Sequence, residues 1–290
     1  GCSEEVCEMK ALWRSLKQSK TGMIGLAIVL VVVVCAIFAY QLAPCDPLQQ
    51  DLMNKLHDPA WTATGTPEHL LGTDQLGRDV LSRLLVGARI TLLVALAGTV
   101  VGGVVGVVLG CLAGYYGGWV DAVLMRLVDI QLCFPFTLLA LFIAAVLGGS
   151  LGNVILIAGI TSWVRYARLV RGEILGIKEC EYIEAIRAEG GSDARIIFRH
   201  ILPNVISSVI VIATLEMAKI VLMEASLSFL GYGVPVTIPT WGRMLSEARA
   251  NMVSNPWQCI LPGLCITLTV LGVNLLGDWL RDYLDPKLDV

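Results

Sequence analysis

The chain has 290 residues, 56% of them hydrophobic and 16% charged, with a formal net charge of −3 and a mean hydropathy of +0.74. A soluble domain carries about 25% charged residues, so this chain has too few charges to coat a globule and must put much of its apolar surface into lipid. The slightly acidic balance excludes a strongly basic, nucleic-acid-binding chain.

In chain order, residues 1–22 form an N-terminal segment with Lys10, Arg14, Lys17 and Lys20. Residues 23–43 are the first run that meets the roughly 20 apolar residues of a spanning helix. The run is too long for a secretory signal peptide, and no cleavage site follows it. A polar loop, 44–90, comes next. Within it, Gln75 to Ala88 places Val80, Leu81, Leu84, Leu85 and Ala88 on one helical face, with Asp79, Ser82 and Arg83 on the other. That pattern suits a helix lying at the membrane interface or an ordinary solvated one.

Residues 91–290 hold five further spans, at 91–114, 123–147, 151–170, 205–230 and 258–280. The fold class is therefore an all-α integral membrane protein with six transmembrane helices. In the second span Gly98, Gly102, Gly106, Gly110 and Gly114 recur every four residues, which lets two helix backbones approach closely in lipid. Fourteen Lys and Arg fall on the side of the N-terminus and of the link between the fourth and fifth spans, against six on the other side. The positive-inside rule puts both termini in the cytoplasm. Arg83 and Arg89 run against that rule.

None of the nine cysteines shows a Cys-x-x-Cys spacing, so no metal or redox site is expected from them. Cys45 and Cys259 fall on the same outer side and either pair or stay free. His57, His69 and His200 lie far apart in the topology, and no metal site is expected from the three. No catalytic cluster of His, Asp or Ser occurs on one face of a span. No Gly-x4-Gly-Lys-Ser/Thr phosphate loop occurs either.

The most informative stretch is 181–204. Glu181 to Glu189 reads as a short amphipathic helix that Gly190 and Gly191 end. Ser192 or Asp193 then caps a second helix through His200, and Pro203 opens the fifth span, where its missing N–H is harmless. Such a helix–turn–helix, tied to a span, is suited to fit a groove on a partner and pass force into the membrane.

Inside the fifth span lie Glu216, Lys219 and Glu224. Charges in lipid are costly and face a cavity or a partner. Glu216 and Lys219, three apart, suit an ion pair, and Glu224 is roughly on the same side. The three form a candidate translocation path, with a structural ion pair as the alternative. Arg126 and Asp129 suit a second three-apart pair near the cytoplasmic end of the third span.

Glu184-Ala185-Ile186, three residues, Gly190, nine residues, then His200-Ile201-Leu202-Pro203 resembles the EAA loop of bacterial ABC importer permeases. The family pattern is Glu-Ala-Ala, three residues, Gly, nine residues, Ile-x-Leu-Pro; here Ile186 and His200 depart from it. His69-Leu70-Leu71-Gly72-Thr73-Asp74, Gly77-Arg78-Asp79-Val80-Leu81-Ser82-Arg83, Met125 to Ile130, Phe229-Leu230-Gly231, Trp241 to Leu245, Gly277-Asp278 and Leu284-Asp285-Pro286-Lys287 resemble the dipeptide, oligopeptide and nickel permeases, closest to their second, C-type subunit.

The resemblance implies a type I ABC importer permease core with a cytoplasmic coupling helix in loop 181–203. Glu184, Ala185, Ile186, Gly190, His200, Leu202 and Pro203 would couple it to the ATPase. It implies a bacterial inner-membrane location. The implied partners are a second permease, one or two ABC ATPase subunits and an extracytoplasmic solute-binding protein, with ATP and Mg on the ATPases and no cofactor in this chain. Loops 44–90 and 231–257 would receive the solute-binding protein. Peptides lead as the solute class, with nickel or another small solute as the alternative. From another class, an ATP-independent secondary transporter would need inverted repeats or broken helices at matching positions, which the sequence does not display.

Overall fold

The structure is a computed structural model that describes residues 12–284. Cys2, Cys7, Lys10, Asp285, Pro286 and Lys287 lie outside the described residues. The long helices are α1 (Lys20–Ile37), α2 (Val80–Tyr116), α3 (Gly118–Leu132), α4 (Phe136–Leu147) and α5 (Leu151–Ile177). After them come α6 (Glu181–Ala188), α7 (Leu202–Phe229), α8 (Trp241–Ala248) and α9 (Trp257–Leu284). A short helix, Asp193–Ile196, and a π-helical turn, Ile197–Ile201, run directly into α7.

Among the described residues, four helical stretches are long and apolar enough to cross a membrane: α1, α2, the run Asp193–Phe229 and α9. The pair α3 and α4 makes a fifth only if counted together, because it bends by 91°. The third span expected at 123–147 is thus not one helix. Pro135 caps α4; the chain breaks at 133–135, where proline disfavours helical geometry in the residue before it. The α5 stretch meets the length but is too polar to count by composition.

Polarity on α5 is hidden by packing. Its Thr161 and Ser162 hydroxyls donate to the carbonyls of Ile157 and Ala158, at 2.7 Å each, so neither is left unpaired away from water. The glycine row of α2 is the bed on which α5 lies. A Cβ at Gly98 would sit 2.4 Å from that of Ala158, one at Gly102 2.0 Å from Ser162 Oγ, and one at Gly106 2.5 Å from Tyr166 Cβ. At Gly110 and Gly114 it would fall 2.9 Å from the Cβ atoms of Val170 and Ile174. Both helices advance four residues per contact in the same direction, so they run parallel. Because α2 and α5 are parallel, the bent pair α3–α4 carries the chain back between them.

The helix α1 runs antiparallel to α9. Gly22 faces Trp279, while Gly25 lies against the backbone of Gly272 and Leu276. The 37 residues of α2 reach about 55 Å at 1.5 Å each, well beyond a hydrocarbon core of about 30 Å. Its first turns therefore project into a cap at the end of the bundle away from loop 181–203. No separate interfacial helix exists over 75–88: helix begins at Val80 and continues unbroken into the span. The face expected to be polar is buried as well as the apolar one, with Ser82 and Arg83 at 0% and 1% exposure beside Val80 and Leu84 at 1% and 7%.

Candidate functional site

One end of the bundle carries loop 181–203. Helix α6 ends in a Schellman turn: Gly191 N–H donates to the Ile186 carbonyl at 2.9 Å and Gly190 N–H to that of Arg187 at 3.1 Å. Gly190 sits at φ +83°, a left-handed conformation that costs glycine little. The chain then turns back and re-enters helix at Asp193.

From there helix is continuous to Phe229, which corrects the expected second helix ending at His200. Pro203 lies at the start of α7, without an N–H to offer the carbonyl four residues back. The turn ahead of it is widened to π form, and the Leu202 N–H donates to the Ile197 carbonyl. Side-chain capping is also not as expected. Ser192 makes no cap bond, and Asp193 instead accepts from the Tyr115 hydroxyl of α2 at 2.6 Å. The Arg187 guanidinium lies over the Tyr115 ring, 5.7 Å from its centroid.

An apolar cluster docks this loop. Ile183, Ile196, Ile201 and Val205 are fully buried against Val170 and Ile174 of α5 and Cys111 and Tyr115 of α2. The same segments leave an outward face. Glu184, Ala185, Gly190 and Pro203 are exposed, while Ile186, His200 and Leu202 are half-buried. Tyr182 and Phe198 are exposed with them, Phe198 at 70%. Acids in the first turn of α6, Glu181 and Glu184, are where the helix dipole favours them.

In mid-bundle, the Glu216 carboxylate is buried and pairs with Lys219 Nζ at 2.7 Å and Arg165 Nη1 at 3.2 Å. Lys219 and Arg165 keep 39% and 41% of their side chains exposed, so two cations flank one carboxylate and reach outward from it. Glu216 Oε2 has no partner among the described residues. Toward loop 181–203, α5, α7 and α9 line an open pocket of about 370 Å³. Leu169, Leu215, Ser207, Ser208 and Arg281 line it. Glu224 belongs to a different set of contacts. It is fully buried and accepts from Ser228 at 2.7 Å and, weakly, from Thr91 at 3.4 Å. The expected pair of Arg126 with Asp129 does not form; Asp129 pairs with Arg168 of α5 at 2.6 Å, and Asp121 holds Arg171 through two bonds of 2.5 and 2.6 Å.

The cap at the opposite end is built on the stretch Thr73 to Arg83. Asp74 Oδ1 accepts the N–H groups of Leu76 and Arg78 at 2.8 and 3.0 Å, and its Oδ2 meets Arg78 Nε at 2.7 Å and Arg83. Both arginines also reach Glu247 of α8, at 2.6 and 2.8 Å, and Arg243 joins at 3.2 Å. Gly77 passes so close to the Asp51 carbonyl that a Cβ would fall 1.7 Å from its oxygen. Trp241 Nε1 donates to the Leu84 carbonyl at 2.9 Å. Arg83, which runs against the charge rule, is thus buried and paired, while Arg89 stacks over the Tyr40 ring at 5.4 Å. The partners Glu247 and Arg243 were missed from sequence, since nothing local announces a contact across so much chain. Cys45 and Cys259 are free thiols.

Residues 106–290 match the family described as binding-protein-dependent transport system inner membrane component, and residues 9–59 match the N-terminal TM domain of oligopeptide transport permease C. The chain is 44% identical over 277 residues to the glutathione transport system permease protein GsiD of Shigella sonnei, covering 95% of this chain and 89% of that one. It is 40% identical over 283 residues to the dipeptide transport system permease protein DppC of Alkalihalophilus pseudofirmus, covering 98% and 91%. The inward-facing MetNI methionine ABC transporter has a similar fold, with a TM-score of 0.54 at 20% identity over 70% of this chain and 96% of that one. The chain therefore belongs to the inner-membrane permeases of binding-protein-dependent ABC importers, in the branch that carries the N-terminal segment of oligopeptide permease C.

Proposed function

We propose that this chain is one of two permeases in an ATP-driven importer of short peptides, di- or oligopeptides or glutathione among them. The observation that carries this reading is loop 181–203, clamped to α2 and α5 by buried isoleucines and continuous with α7. A push on its exposed face would move α7 as a lever. Glu184, Ala185, Ile186, Gly190, His200, Leu202 and Pro203 form the surface for the ATPase, where ATP and Mg would be held by one or two separate subunits. The chain crosses the membrane six times with both termini cytoplasmic; the parallel run of α2 and α5 supports this, since α3–α4 must then complete a crossing. Loops 44–90 and 231–257 would receive the solute-binding protein.

Glu216, with Lys219 and Arg165 reaching outward, lines the path along which the spans tilt between open states. Glu224 supports that helix from within the packing at its outer end. Paired permeases would place two such cationic groups around one channel, suited to the carboxylates of a peptide.

The test is reconstitution of the complex in liposomes with radiolabelled dipeptide and glutathione. ATP-dependent uptake supports the assignment; uptake without ATP would put a secondary transporter in its place. Glu184→Lys should leave the complex inserted and hydrolysing ATP while transport falls to background, because the exposed residue contributes within about 0.5 kcal/mol to folding. Normal transport by this variant would refute the coupling surface. Glu216→Gln should reduce uptake at unchanged assembly, and unchanged transport would remove Glu216 from the path.

A further inference from the structure

Three donor groups meet at the junction of the outer loop and α2. Cys45 follows α1, His69 lies in the middle of the loop, and Asp79 caps α2; their sulfur, nitrogen and oxygen donors all lie within 4.8 Å of one another. From these residues we propose a divalent metal site of the zinc type, held by Cys45 Sγ, His69 Nδ1 and Asp79 Oδ1, with a fourth position open to water.

The donor set selects the ion. One thiolate, one imidazole and one carboxylate suit zinc, whereas calcium and magnesium take oxygen ligands. A thiolate and a carboxylate together neutralise one divalent cation. His69 Nδ1 and Asp79 Oδ1 are 3.0 Å apart, near the roughly 3.3 Å between nitrogen and oxygen donors on a tetrahedral zinc. The other oxygen of Asp79 is anchored by the Ser82 N–H and hydroxyl at 2.7 Å each. That hydroxyl oxygen in turn accepts the Cys45 N–H at 3.1 Å, so Ser82 orients two of the three ligands, as outer-shell groups do at metal sites.

Binding releases the thiol proton to solvent, and the proton that His69 Nδ1 shares with Asp79 at 3.0 Å without the ion moves by solvent exchange to Nε2, which frees Nδ1 for the metal. Asp79 is 2% exposed while Cys45 and His69 are half-buried, which leaves the ion a route in. A bound ion would staple the exit of α1, the middle of the loop and the start of α2 into one body.

The test uses the whole purified importer, stripped with chelator and kept reduced with a phosphine, then titrated with Zn(II) or Co(II). One equivalent of zinc per chain is expected, with a thiolate-to-cobalt charge-transfer band for Co(II). Cys45→Ser should lose that band and weaken zinc binding by at least about 100-fold, beyond the roughly 10–100-fold cost of an outer-shell change. His69→Ala should weaken it similarly. Failure of the unmodified complex to bind zinc, or a Cys45→Ser complex that binds it as tightly, would overturn the site.

Discussion

The cap at one end of the bundle and loop 181–203 at the other are held by opposite means. In the cap, Asp74, Arg78, Arg83, Arg243 and Glu247 form a buried ionic knot between a loop, the start of α2 and α8. In the loop, Ile183, Ile196 and Ile201 pack without direction into an apolar cluster and leave the charges of α6 exposed. Directional bonds between buried charges give one arrangement and resist sliding, because any shift strands a charge away from water. Apolar contacts tolerate a tilt as long as the area stays covered. The end built on buried ion pairs is held in one arrangement, and the end carrying loop 181–203 is held by contacts that permit sliding.

The largest effect expected from breaking this contrast is at Arg83. Arg83→Ala leaves Asp74 and Glu247 short of a cation and should cost about 3–5 kcal/mol, read as a drop in the thermal midpoint of the detergent-solubilised complex. A midpoint unchanged by the substitution would mean that water replaces the guanidinium at no cost. Next comes Ile183→Ala, at about 2–5 kcal/mol but confined to the loop. Limited proteolysis should then cut near Gly190 while the midpoint of the bundle moves little, and ATP hydrolysis should continue without uptake. A global loss of stability would show that the inner loop is as integral as the cap. The smallest is Tyr115→Phe, which removes the bond to Asp193 and should cost about 1.5–3 kcal/mol as a hydrogen bond to a charged group. It should shift the fraction of cut loop and leave uptake measurable; complete loss of uptake would make that bond part of the coupling stroke.

The difference between the two ends also separates what was legible from what was not. The glycine row announced a close helix contact because a four-residue period of small residues has one main use in lipid. It did not name α5 as the partner, since α5 shows no matching row of its own. The break at 133–135 carried a readable signal in Pro135, outweighed by the apolar run on either side. Arg83 was assigned to a polar face because helical periodicity describes one helix alone; Glu247, which pays for its burial, is remote in sequence.

Composition by itself determined that the chain lives in lipid, and local pattern determined the helix–glycine–helix of 181–203, because hydropathy and turn chemistry act between near neighbours. Only the tertiary structure decided that α2 and α5 run parallel, that α7 begins at a widened turn with Asp193 tied to Tyr115, and that Cys45, His69 and Asp79 meet. Each of these depends on contacts between residues far apart in the chain, whose energies appear only once the backbone has brought them together.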